Sequence, residues 1–373
     1  MKKKSQTPDT PLIKKSRDYS GLASSVIAIL VGLVFGFLVL LVANPANAFK
    51  GFKALVVGGF YNGLKSFGDV FYYAVPIILT GVGVAFAFKA SIFNIGGAGQ
   101  FLSGAFCGLY VAIRWDLPGA LGWIVPLLAS ALGGAAWALV PAILHAYRKV
   151  NIVIATIMMN YAGLYLDNYL IKKTIYDSLR NQSMPVPAAH RLPAAGLNKL
   201  FPGSVVNCGI LIAIVVAIGI YLLLEKTTFG FEIKATGKNR DASKNAGINA
   251  RRNIMFAMLI SGALCGLGGA LMYLSSSGKY VQVVDVTQPE GFNGIPVALL
   301  AMNNPIGCIF SAIFLAYLQV SGFYMQGYGY TAEIVDIITS VVIYFSAFSM
   351  IISEALRRRR LQRRTGISTK KGA

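Results

Sequence analysis

The stretch Thr156 to Leu170, TIMMNYAGLYLDNYL, sets polar side chains into an apolar run. Asn160 and Asp167 are seven positions apart and share one face of a helix, with Tyr161 and Asn168 beside them. An amide and a carboxyl on one face can line a pathway and hydrogen-bond a polar solute. The same groups serve equally well in joining one helix to another, because both uses keep polar atoms away from hydrocarbon. Asn94 and Gln100 in Ala90 to Phe106, ASIFNIGGAGQFLSGAF, are of the same kind. Asn293, in GFNGIP, completes the candidate pathway set. No residues are arranged for catalysis. The chain has no G-x-x-x-x-G-K-[ST] phosphate loop, no H-E-x-x-H, no nucleophile elbow and no paired catalytic carboxylates. Cys107, Cys208, Cys265 and Cys308 form no C-x-x-C pair and read as small hydrophobes. His145 and His190 stand alone, so no metal site is expected.

A second candidate is the polar interruption Glu225 to Arg252, EKTTFGFEIKATGKNRDASKNAGINARR, which carries seven Lys or Arg between two apolar runs. Asn239 or Asp241 is suited to cap a short helix there, and Gly247 to end it in a left-handed conformation. A helix of about two turns is marginal alone in water and needs docking to persist. The segment reads either as a cytoplasmic helix shaped for a partner or as a basic loop that holds topology.

These residues are positioned by membrane spans. Of 373 residues, 55% are hydrophobic and 13% charged, against roughly 25% charged in soluble domains. The apolar runs are too long and too many for buried core helices, since about 20 residues cross the hydrocarbon. Strand-like alternation is absent, which argues against a barrel. The net charge of +20 lies in loops and tails beside the spans, where it orients the chain and attracts anionic lipid; nucleic-acid binding is not expected.

The expected order is a basic cytoplasmic tail (1–20), a transmembrane region (21–353) and a basic cytoplasmic tail (354–373). Spans are expected at Ser24–Ala43, Asp69–Phe88, Ala90–Ile113, Ala120–Leu144, Ile152–Ile171, Val206–Leu224 and Ile254–Leu274, with two more at Ile306–Phe323 and Ile334–Ile352. Residues 172–206 form the longest outer segment, broken by Pro185, Pro187, Pro193 and Pro202. Nine spans would separate the two basic ends. A tenth crossing is therefore required, and Gly294 to Met302 is the one candidate, too short for a straight helix and so read as broken. With ten crossings, 24 of the 34 Lys and Arg fall on the side of the central loop, which supports a cytoplasmic placement of both termini. Phe93-Asn94-Ile95-Gly96-Gly97 and Phe292-Asn293-Gly294-Ile295-Pro296 open corresponding members of the two halves, from opposite sides, as an inverted repeat requires. Gly262-x-x-x-Gly266 reads as a close helix-packing contact.

Taken in order, FNIGGAGQFLSGAF, TIMMNYAGLYLDNYL, GFEIKATGKNRDASKNAGINARRNIMFAMLISGALCGLGGAL and GFNGIPVALLAMNNPIG resemble the permease subunits of bacterial ABC importers of the nucleoside branch, relatives of the ribose and branched-chain amino-acid permeases. The resemblance spans about residues 68 to 350. It implies an all-α, polytopic fold of about ten transmembrane segments with an inverted-repeat core, in the bacterial cell (inner) membrane. It implies a second homologous permease, with a heterodimer favoured by the long N-terminal region, a cytoplasmic ABC ATPase, and an extracytoplasmic lipid-anchored solute-binding protein. ATP and Mg would sit in the ATPase, leaving this chain without a cofactor. The central loop becomes the coupling helix, carried by Gly237, Asn239, Asp241, Ala242, Ala246 and Gly247, although Asp241-Ala242-Ser243 departs from the Glu-Ala-Ala motif of maltose-type importers. The solute implied is a nucleoside. The alternatives are a sugar such as ribose or, driven by an ion gradient through Asp167, a secondary carrier.

Overall fold

The computed structural model describes residues 20–347. The tails expected at 1–20 and 354–373 fall, apart from Ser20, outside the described residues, as does the end of the last span. The chain runs through α1 (Ser20–Ala43), α2 (Ala48–Val57), α3 (Leu64–Lys89), α4 (Gly97–Arg114), α5 (Leu121–Arg148), α6 (Ile152–Thr174), the two-residue strands β1 (Tyr176–Asp177) and β2 (Gln182–Ser183), α7 (Leu197–Leu200) and α8 (Gly209–Lys226). It continues through α9 (Thr228–Lys238), α10 (Arg240–Asn245), α11 (Ala250–Tyr273), α12 (Pro289–Phe292), α13 (Gly294–Leu300), α14 (Pro305–Met325) and α15 (Ala332–Ala347). Among the described residues, five helices are long and apolar enough to cross a membrane: α3, α5, α8, α11 and α14. Apart from the short β1–β2 pair, the described residues are those of a helical, multi-pass membrane protein.

Burial separates centre from rim. In α3, 89% of the apolar window is buried inside the protein, against 28% in α8. A helix apolar on all sides and mostly uncovered by protein, as α8 is, faces hydrocarbon. Around α3 the packing is twofold in pattern. α11 packs on α4 and α5, while α3 packs on α13 and α14. Exchanging the α3–α6 half for the α11–α15 half reproduces these contacts, which is the arrangement an inverted repeat produces. The helices α4, α5 and α11 meet on glycine: a Cβ at Gly266 would lie 3.0 Å from the Gly134 Cα, and Ser130 Oγ donates to the Gly266 carbonyl. The Gly262-x-x-x-Gly266 pattern does serve helix packing.

Two stretches expected as helix begin differently. The span expected from Ala90 becomes helical only at Gly97. Ser91 is left-handed (φ 55°) and the Gly96 amide is taken by Asn94 Oδ1 at 3.0 Å, so residues 91–96 run as a non-helical break that enters the protein from an exposed Ser91. The broken crossing expected at 294–302 starts earlier, at Pro289, as two short helices meeting at Asn293. Together they cover 12 residues, or about 18 Å of rise, short of the roughly 30 Å hydrocarbon core.

One end of the bundle holds five side-chain-capped helix N-termini. Asn151 accepts from Val153 N, Thr227 from Gly230 N, Asn239 from Ala242 N, Asn249 from Arg252 N and Asn304 from Ile306 N, at 2.9–3.1 Å. At the opposite, distal end the segment after α6 is pinned down rather than loose. Ser183 N donates to Val281 O at 2.8 Å and Val283 N to Asn181 O at 3.0 Å, so the β1–β2 hairpin is joined by the stretch after α11. His190, unaccompanied in sequence, is buried with Nδ1 2.6 Å from Ala112 O and Nε2 3.1 Å from Leu117 O.

Candidate solute pathway and docking knob

The two broken segments touch. A Cβ on Gly97 would lie 2.5 Å from the Gly291 carbonyl oxygen, and one on Gly291 would overlap Ala98. Irregular backbone at this depth survives only where its polar groups are satisfied, and the candidate pathway residues supply partners. Asn160 spans the first break: its Nδ2 donates to Ile95 O and its Oδ1 accepts from Gly99 N, both at 2.9 Å. Asn94 Nδ2 donates to Gln100 Oε1 and to Ser261 Oγ, both at 2.9 Å, which ties the break to α11. Ser103 Oγ donates to Asp167 Oδ2 at 2.8 Å, joining α4 to α6. Asn168 Nδ2 reaches Val284 O at 3.0 Å. Asn94, Gln100, Asn160, Asp167 and Asn168 are thus buried and hydrogen-bonded, Asn293 is half-buried at the joint of α12 and α13, and Tyr161 is exposed on the far side of α6. The structure buries Asn160, Asp167 and Asn168 as the helical-face reading expected, but Tyr161, expected beside them, is one position on from Asn160 and is turned outward.

A cavity of about 350 Å³ opens at the distal end above these breaks. Gln182, Tyr273, Lys279, Gln282, Gln288 and Glu290 line it. Its depth is set by Glu290, whose carbonyl accepts from Thr80 Oγ1 at 3.3 Å. Thr80 lies 16 residues into α3, about 24 Å from that helix's start. The cavity therefore reaches well into the bundle. Lys279 sits at 4.0 Å from Glu290 Oε1 and 4.4 Å above the Tyr73 ring. Burial pushes its ammonium below the ordinary lysine value, and the Glu290 carboxylate pulls it partly back. Sequence reading did not single out these residues. The one signal was the polar run GKYVQVVDVTQPE between α11 and the broken crossing.

At the other end, α10 is a small exposed knob. Asn239 caps it, Ser243 Oγ donates back to Asn239 O at 2.8 Å, and the Ile248 amide closes on Ser243 O at 2.9 Å over Gly247 at φ 80°. The cap falls on Asn239, and Asp241 is left free on the surface with Ala242, Ala246 and Gly247. Only Ser243 of the helix is buried. The knob is seated through α9. Gly237 abuts the Lys89 carbonyl so closely that a Cβ would overlap it, Ser91 Oγ donates to Gly237 O at 2.5 Å, and Asn253 Nδ2 donates to Thr236 Oγ1 at 3.1 Å. Thus α9 is anchored to the ends of both α3 and α11, the helices that hold the two breaks.

The chain is similar to known proteins over most of its length. A family model described as the branched-chain amino acid transport system permease component matches residues 66–347. The guanosine ABC transporter permease protein NupP of Bacillus subtilis is 36% identical over 340 residues, 89% of this chain and 95% of that one. The nucleoside ABC transporter permease protein NupB of Lactococcus lactis is 33% identical over 93% of this chain and 97% of its own. The glucose ABC transporter permease protein TsgB13 of Haloferax volcanii is 33% identical over 79% and 78%. A second guanosine permease of the same Bacillus, NupQ, matches at 27% identity over 66% and 78%. No solved structure matches.

Proposed function

The chain belongs to the branched-chain amino acid transport system permease family, is a permease subunit of an ABC transporter rather than an enzyme, and on that premise we propose that it carries nucleosides inward through the path between its two broken segments. The names of NupP and NupB support the solute class. The glucose permease among the relatives supports a second reading, a sugar. Uptake of radiolabelled nucleoside, ribose and glucose by cells with and without the gene separates the two.

One observation carries the mechanism: the exposed, doubly capped α10 is joined rigidly through α9 to α3 and α11. We read α10 as the coupling helix, in the cytoplasm, gripped by a separate ATPase that holds the ATP and Mg. A push on α10 reaches the Lys89 carbonyl and the α11 N-terminus together, and so reaches the Gly97–Gly291 crossing and the Thr80–Glu290 contact. Coupling requires such an element, contacted differently in two states. A second permease subunit is supported by the paired homologues, two in one Bacillus, and a heterodimer fits that pairing. A solute-binding protein would deliver to the distal cavity. The test replaces Asp241 or Gly247 by Trp. ATP hydrolysis without uptake, in protein that still inserts, is the expected result; normal uptake in both variants counts against the coupling role.

A further inference from the structure

Glu290 Oε2 is buried and makes no hydrogen bond among the described residues, while Oε1 lies 4.0 Å from Lys279 Nζ. An acceptor left unmatched in a low-dielectric place is destabilising, the more so when it is charged. Glu290 itself is a lining residue of the distal cavity. The cavity volume of about 350 Å³ lies in the range of roughly 300–1,000 Å³ usual for small-molecule sites. Resting on the nucleoside reading above, we propose that the Glu290 carboxylate is the ribose-diol receptor of this transporter, and that it selects ribonucleosides over their 2′-deoxy counterparts.

The chemistry favours a neutral polyol. An ionised carboxylate only accepts hydrogen bonds, and a vicinal 2′,3′-diol offers two hydroxyl donors to it. Lys279 balances the Glu290 charge within the cavity, so the pair suits an uncharged solute, and a phosphorylated one would meet the carboxylate. The base would lie toward the cavity mouth. Elsewhere in the lining Gln182, Gln282 and Gln288 each carry an amide with both donors and acceptors, and Tyr280 adds ring surface. Gln182 and Gln282 are held side by side by an antiparallel bridge between their backbones. The Glu290 backbone is itself fixed by Thr80 and lies next to Gly291, which abuts Ala98. A bound diol would therefore sit directly over the crossing of the two breaks, where opening has to occur.

The test uses cells carrying the whole transporter. Uptake of labelled guanosine or uridine is competed with the same nucleoside lacking its 2′-hydroxyl, in wild type and in Glu290→Gln. The wild type should prefer the ribonucleoside by about tenfold or more, because a site built to bond a hydroxyl rejects the analogue lacking it. Glu290→Gln should collapse that preference toward parity. Glu290→Asp, which keeps the charge and withdraws it by one methylene, should fall between, and it serves if the amide variant fails to accumulate in the membrane. A wild type indifferent to the 2′-hydroxyl overturns the proposal, and so does a Glu290→Gln that loses both substrates equally. A wild type that carries ribose but no nucleoside sinks the nucleoside reading instead; ribose against 2-deoxyribose then tests Glu290 by itself.

Discussion

Gly97 and Gly291, 194 positions apart in the chain, touch where the two broken segments cross: a Cβ on Gly97 would sit 2.5 Å from the Gly291 carbonyl oxygen. The contact joins the start of α4 to α12, and so one half of the repeat to the other.

Replacing Gly97 by Ala should force these segments apart. Overpacking at a close backbone contact costs about 1–3 kcal/mol, and thermal unfolding in detergent should show it, together with a fall in uptake. Gly219→Ala is the control. Nothing lies within 4 Å of a Cβ there, so removing a helix-interior glycine should leave stability unchanged or raised by up to about 1 kcal/mol.

The seat of the knob is separable from its surface. A side chain at Gly237 meets the Lys89 carbonyl, so Gly237→Leu should lift α9 off α3 and lower both stability and uptake. Asn239→Ala removes the α10 cap at a cost of about 1 kcal/mol. Hydrogen exchange should show α10 opening in that variant while α11 stays protected. Equal exchange in α10 of wild type and variant would contradict the capping role.

Asp167 discriminates an ATP-driven permease from an ion-coupled carrier. Its Oδ2 accepts from Ser103 Oγ at 2.8 Å between α4 and α6. Asparagine preserves an acceptor in the same place, so Asp167→Asn should keep uptake close to wild type in a reconstituted transporter without any ion gradient. Ser103→Ala should cost stability by about 1–3 kcal/mol, because it leaves a buried acceptor unmatched. Complete loss of uptake in a well-folded Asp167→Asn would revive the carrier reading.

Lys279 predicts a pH dependence. Its partners are the Glu290 carboxylate and the Tyr73 ring, and burial lowers its value from the ordinary 10.5. Between that lowered value and the ordinary one, the unfolded chain holds a proton that the folded chain has released. Stability therefore rises with pH through this window. Melting followed from neutral pH up to the ordinary lysine value of 10.5 should show the increment in wild type, and Lys279→Met should remove it.

Much of this architecture was legible before the structure, for identifiable reasons. Apolar length alone marked out α3, α5, α8, α11 and α14, the five helices among the described residues that are long and apolar enough to cross, since crossing hydrocarbon demands a minimum run whatever the neighbours are. Basic ends, expected on one side, called for a tenth crossing with the GIPVALLAM stretch as its one candidate; the structure has the two short helices α12 and α13 there. Asn239 and Gly247 could be read as the bounds of α10 because capping is decided within a few residues.

Other features depended on distance in sequence. Asn160 and Asp167 marked the inward face of α6, but how far that face extends was not readable, since lipid outside is as apolar as the protein inside; folding buries Asn160 and exposes its neighbour Tyr161, which was expected beside it. That Asn94 and Asn160 spend their amides on the break at 91–96 follows only once α4, α6 and α11 are packed. The distal cavity is the clearest case. Gln182 and Gln282 stand a hundred positions apart and meet through a backbone bridge. Local propensity determined most of where this chain is helical; long-range packing alone decided which polar groups are used up in holding it together and which, like Glu290 Oε2 beside the distal cavity, are left without a partner among the described residues.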